Sequence, residues 1–110
     1  MYYKLVVSKK WVPKGFSGIS LYPFIIVSSF EQIGSTTLLN HEKIHLRQQM
    51  ELFIVFFYIW YFFEFLIRWL RMGSKYQAYR AISFEREAYV NEKNLNYNSS
   101  KTLFSFLKYL

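Results

Sequence analysis

The sequence predicts an α+β domain, mostly helical, with a short antiparallel N-terminal sheet followed by a helical core. Three observations carry this reading. Runs of β-branched and aromatic residues, punctuated by Pro13, Gly15 and Pro23, occupy the N-terminal part. No Gly or Pro lies between Gly34 and Gly73, an interval suited to helix. The chain of 110 residues holds one core, so 1–110 is a single domain.

Taken in order, residues 2–7 (YYKLVV) read as a strand and KKWVPKG as a loop. Residues 18–29 (GISLYPFIIVSS) read as a second strand with Pro23 inside it. Proline cannot donate to a sheet ladder, so this strand should lie at an edge or carry a bulge near Pro23. Ser35 or Thr36 suits the N-cap of the helix that follows. That helix runs into LFIVFFYIWYFF (Leu52–Phe63), which contains no charge. After Gly73-Ser74 a second helical stretch extends from Tyr76 to Asn94. NLNYNSSK reads as a polar connection, and TLFSFLKYL as a short amphipathic helix.

Composition narrows the function. There is no cysteine, which excludes disulfides and thiolate metal sites. Any metal would be held by histidine and by carboxylates drawn from only seven acidic residues. Aromatic residues make up 23% of the chain and the formal net charge is +7, values that admit a nucleic-acid or an anionic-membrane partner. The aromatics cluster in one uncharged run instead of alternating with basic residues. This suits burial or lipid better than base stacking, so no nucleic-acid partner is expected. YYKLVVS is too short for a secretory signal, and charged KKWVPKGF follows it in place of a small-residue cleavage site. The expected location is cytoplasmic, with peripheral association at the inner face of the membrane.

Both histidines fall in NHEKIH, residues 40–45. On a helix, His41 and His45 lie one turn apart on a face shared with Thr37, Leu38, Ile44 and Gln48, so both imidazoles can reach one ion. Glu42 projects about 100° from His41 and can activate water at the ion without ligating it. A catalytic zinc site needs a third protein ligand. Downstream candidates are Glu64, Glu85, Glu87 and Glu92. In a helical projection, Ala78, Ala81, Ile82, Ala88, Tyr89 and Glu92 lie within about 60° of Glu85. Glu85 therefore interrupts an apolar, alanine-rich stripe, where an unpaired carboxylate is costly and a cation is required. Glu87 points the opposite way and reads as solvated surface. Arg80 and Arg86 lie off the stripe and offer a salt-bridge alternative.

HEKIH followed some forty residues later by FEREAY resembles the gluzincin class of zinc metallopeptidases. In that class HExxH on one helix is completed by a glutamate on a second, in an E-x-E-A or E-x-x-A-D setting. The match implies a minimal zincin-like domain, similar to the minigluzincins in size and to the CAAX-prenyl endopeptidases in arrangement. LYPFI, NHEKIHLRQQ, FYIWY and ISFEREAY together resemble segments of small bacterial peptidase-like proteins. Carried over residue by residue, the ligand role falls on Glu85, in agreement with the projection. Tyr89 stands where the E-x-x-A-D pattern has aspartate. Its hydroxyl could orient a histidine or polarise a substrate carbonyl, with Tyr79 and Tyr76 as lesser candidates.

Leu52–Leu70 is interrupted only by Glu64 and Arg68 and has the length of a membrane span. One crossing would leave the histidines and Glu85 on opposite sides of a bilayer. A straight helix from His45 to Met72 would also run roughly 40 Å, farther than residues 73–85 can return as helix. The chain must therefore fold back, around Val55–Tyr58, although no glycine or proline marks the place. A hairpin this apolar exceeds what 110 residues can cover, so Leu52–Leu70 should meet a second subunit or a membrane interface. Trp60, Trp69, Tyr58 and Tyr61 suit the headgroup level, with Arg68, Arg71, Lys75 and Arg80 facing anionic lipid.

The expected function is hydrolysis of a peptide or protein substrate, with Zn2+ on His41, His45 and Glu85, and Glu42 as general base. Tyr89 would steady the oxyanion, and Ile19–Val27 would pair an extended substrate along its edge. The alternative is a non-catalytic membrane-surface or oligomeric scaffold in which the His and Glu residues are structural.

Overall fold

The N-terminal apolar runs form three strands, not two, because the second folds back on itself. A computed structural model describes residues 3–110; the first residue of the expected strand 2–7 lies outside that range. Strand β1 is Lys4–Val7, β2 is Gly18–Leu21 and β3 is Phe24–Val27. A cis peptide bond at Tyr22–Pro23 sits in the turn between β2 and β3, where Leu21 pairs with Phe24. Pro23 therefore punctuates a hairpin and does not lie within an edge strand. The sheet order is β1-β3-β2, with β1 parallel and β2 antiparallel to β3. The fold is α+β as expected, but the small sheet is mixed, since β1 pairs in parallel with β3 on the side away from β2.

A 3-10 turn at Phe30–Gly34 leads into helix α1, Thr36–Glu51. Ser35 is its N-cap, with the side chain accepting from the Leu38 N–H at 3.2 Å. Helix α1 lies between two small cores. On one side Leu46 packs with Ile25 and Val27 of β3. On the other, Phe57, Ile82, Phe84 and Phe106 form an aromatic cluster.

The fold-back comes at Leu52–Ile54, just ahead of the expected place, and α2 (Val55–Met72) leaves α1 at 111°. The chain turns without glycine. The Ile54 N–H donates to the Gln49 carbonyl and the Phe53 N–H to the Met50 carbonyl, the two bonds of a Schellman helix end. Phe53 occupies the left-handed position at φ 55° that such motifs usually give to glycine. Ile54, at φ 66° and ψ −61°, closes a γ-turn in which the Val55 N–H donates to the Phe53 carbonyl. No single helix among the described residues is long and apolar enough to cross a membrane.

The helical stretch expected from Tyr76 to Asn94 is two helices, α3 (Lys75–Ala81) and α4 (Ser83–Asn91), broken at Ile82 (φ −59°, ψ 135°). Buried Glu64 of α2 causes the break by capping α4 from outside, accepting from the Ser83 N–H and hydroxyl, both at 2.6 Å. The other end of α4 is held by Asn40 of α1, whose amide donates to the carbonyls of Glu92 (2.8 Å) and Asn94 (2.9 Å). Side chains from α1 and α2 thus fix both ends of the helix that carries Glu85. The C-terminal segment forms a one-turn helix α5, Tyr97–Ser100, inside the expected polar connection, then a 3-10 turn at Ser105–Tyr109 in place of the expected amphipathic helix. Phe106 anchors it by packing its ring, tilted by 40°, against Phe84.

Candidate metal centre

Helix α1 presents His41 and His45 one turn apart, and α4 presents Glu85 from its first turn; all three are buried. His41 Nε2 and His45 Nε2 face each other at 3.1 Å. Glu85 Oε1 lies 3.2 Å from the first and 3.1 Å from the second. The salt-bridge partners considered for Glu85, Arg80 and Arg86, go elsewhere, to the Tyr89 ring and the Tyr109 carbonyl. The fully buried Ala88 lets α4 approach α1 closely.

The surrounding hydrogen bonds decide which ring nitrogens carry protons. Gln48 Nε2 donates to the Phe84 carbonyl (3.1 Å) and to Glu87 Oε1 (2.8 Å). Both partners only accept, so the Gln48 oxygen must face His45 Nδ1, at 2.8 Å, and that nitrogen is the donor. His41 Nδ1 likewise donates to Glu92 Oε1 at 2.9 Å. With both Nδ1 positions protonated, two bare Nε2 lone pairs and a carboxylate oxygen converge on one point. Three acceptors so placed require a cation between them, and this cluster could hold a metal ion. Without a metal, a proton takes that place. Burial pulls the His45 pKa down, but the Glu85 carboxylate outweighs it and lifts the group to about 9. Burial would raise Glu85, yet the two histidines hold it well below the usual carboxylate range.

The three converging atoms open into a cavity of about 290 Å³ walled by β2, α1, α2 and α3. Its lining is mostly apolar or aromatic, with Phe16, Ile19, Phe57, Tyr58, Tyr61 and Tyr79 among its residues. Glu42 lines it too; burial raises its pKa against the opposing pull of the histidines. The outer side of β2 is partly taken, because Gln49 accepts from the Tyr22 N–H (2.8 Å) and donates to the Ser20 carbonyl (3.0 Å). An incoming chain therefore has only the Gly18–Ile19 end of that edge. Tyr89 packs edge-on against the His41 ring at 4.5 Å, and its hydroxyl meets that of Tyr79 at 3.0 Å. Tyr89 lines an adjoining groove with Glu92, while Tyr76 is exposed.

No family model, curated protein or solved structure matches the chain. The site therefore rests on its own geometry.

Three parts of the site were not assigned from sequence. Tyr61, placed at a headgroup level by composition, donates its hydroxyl to Glu85 Oε2 at 2.7 Å. Glu92 orients His41; its position on the Glu85 stripe was the available signal. Glu87 is fully buried instead of solvated, accepting from Tyr97 (2.5 Å) and Ser105 and pairing with buried Lys101 at 3.3 Å. Only the return of the C-terminal segment creates that environment.

Proposed function

We propose that the protein is a zinc-dependent peptidase of minimal size. The observation that carries this reading is the triangle of Nε2, Nε2 and Oε1, with edges of 3.1–3.2 Å. Ligands about 2.05 Å from a tetrahedral zinc stand roughly 3.3 Å apart. The donor set, two neutral imidazoles and one carboxylate with a side left open to the cavity, is the set a catalytic zinc takes. Zinc, when bound, supplies a Lewis acid that polarises the scissile carbonyl and acidifies water.

The residues supply the rest. Glu42 sits in the same cavity outside the triangle, with a raised pKa. That matches a general base that takes a proton from the attacking water and delivers it to the leaving amine. Tyr79, hydrogen-bonded to Tyr89, brings a hydroxyl to the cavity wall. Burial raises both phenol pKa values, so the pair stays protonated and able to donate to a developing oxyanion. The aromatic lining favours an apolar side chain next to the scissile bond.

The test is elemental analysis joined to cleavage of an unfolded protein substrate. About one zinc per chain is expected in the parent and in Glu42→Gln, and little in Glu85→Gln. Cleavage should be present in the parent alone. Zinc retained in the parent with no cleavage beyond that of Glu42→Gln would overturn the catalytic reading while leaving the metal site standing.

A further inference from the structure

Helix α2 turns Phe57, Tyr61 and Glu64 toward the body of the protein and leaves a broad apolar face uncovered. Phe56, Ile59, Phe63, Ile67 and Leu70 are all exposed, Leu70 by 86%. Their spacing of three, four, four and three residues keeps them on one stripe about 80° wide. Phe62 and Val55 widen it on one side, and Phe53 of the preceding turn, 80% exposed, extends it at one end. No charged residue lies on the stripe. At its other end Arg71 and Lys75 are exposed, and the Lys75 ammonium sits 4.8 Å over the Trp69 ring.

We infer that this face is a docking surface for an anionic lipid membrane, with α2 lying in the plane of the headgroups. The distribution of charge selects this occupant over a second copy of the chain. Of the seven acidic residues, Glu42, Glu64, Glu85 and Glu87 are buried, whereas most of the fourteen Lys and Arg side chains reach the surface. The +7 net charge is therefore displayed outward with little to offset it. Two copies meeting through α2 would bring these cations together, whereas an anionic leaflet is attracted by them. An 18-residue helix about 27 Å long, apolar on one side and cationic at its end, has the form of an interfacial anchor. This inference is independent of catalysis and of bound metal.

The test is flotation of the purified protein with vesicles of phosphatidylglycerol and phosphatidylcholine in equal parts, and with phosphatidylcholine alone. Binding to the anionic vesicles is expected, weakened by salt, with at least tenfold less on the neutral ones. Ile67→Ser with Leu70→Ser, and separately Arg71→Glu with Lys75→Glu, should each reduce anionic binding about tenfold or more. Unchanged far-ultraviolet circular dichroism would show that these variants fold. A second measurement needs neither of them. In Trp11→Phe the remaining tryptophans, Trp60 and Trp69, lie on α2, and brominated lipid should quench their fluorescence. No quenching, equal binding to neutral and anionic vesicles, or a lipid-free dimer dissolved by Ile67→Ser with Leu70→Ser would each overturn the inference.

Discussion

Glu87→Gln should destabilise the protein and weaken metal binding, although residue 87 touches no metal. The Glu87 carboxylate is fully buried against the Lys101 ammonium at 3.3 Å, and also accepts from Gln48, Tyr97 and Ser105. Neutralising it leaves the buried Lys101 with one carboxylate, Glu51, at 3.5 Å. Breaking one side of a buried pair costs about 3–5 kcal/mol; with Glu51 remaining, about 3 kcal/mol is expected here. For a domain of this size that lowers the unfolding midpoint by roughly 10–20 °C. The same change disturbs Gln48, which fixes His45 Nδ1 at 2.8 Å, and loss of such an outer partner typically weakens metal affinity about 10- to 100-fold. The assays are thermal unfolding followed by circular dichroism, and zinc affinity by competition with a chromogenic chelator. The second variant, Lys101→Met in the Glu87→Gln background, removes the stranded charge and should recover a large part of the stability. An unfolding midpoint within about 2 °C of the parent and an unchanged zinc affinity would refute the reasoning.

Tyr61→Phe removes the hydroxyl that donates to Glu85 Oε2 at 2.7 Å; zinc affinity should fall about tenfold with the fold intact, as the same competition assay would read. Phe53→Gly relieves a left-handed residue that is largely exposed; it should raise stability by about 1 kcal/mol, seen as a higher urea midpoint, and a lower midpoint would contradict the helix-end assignment. Burial raises the Glu87 pKa, but its hydrogen bonds and Lys101 win and depress it. Its contribution is then complete above the unfolded value of about 4.5 and is lost as pH falls through the depressed folded value. The gap in unfolding midpoint between parent and Glu87→Gln should accordingly close on acidification below about pH 4.5.

The parts of the site that local periodicity controls were legible in the sequence. His41 and His45 share a helical face because their spacing is one turn, and Ser35 caps that helix by its residue type. Glu85 could be chosen over Glu87 as the partner of the histidines because a projection shows which of the two faces an apolar stripe. The same projection failed for Glu87, since its partners come from residues 97–105, and no helical wheel contains a segment that folds back from outside. The break at Ile82 was hidden for a related reason. It is imposed by Glu64, nineteen residues earlier, competing for the Ser83 N–H. Nor did the turn at Phe53 and Ile54 announce itself, because residues that disfavour positive φ adopt it there. The need for that turn could be argued from helix length alone, but not its position.

The His41–His45–Glu85 cluster and the cationic exterior have a common origin in how a small stock of carboxylates is distributed. Glu85 faces the histidines, Glu42 the cavity, Glu64 the first turn of α4, and Glu87 the C-terminal segment. Glu64, Glu85 and Glu87 are each matched by donors or by a cation, as burial of a charge requires, while the pKa of Glu42 is raised by its burial. Spending four of seven acids in the interior leaves the exterior cationic without any dedicated basic sequence motif. Moving any of these carboxylates back to the surface would weaken the interior constellation and dilute the outward charge together. Substitutions of Glu64 and Glu87 should therefore perturb the fold and metal binding, whereas changes at Arg71 and Lys75 should act on membrane association alone. That separation distinguishes a site built by α1 and α4 from a surface carried by α2.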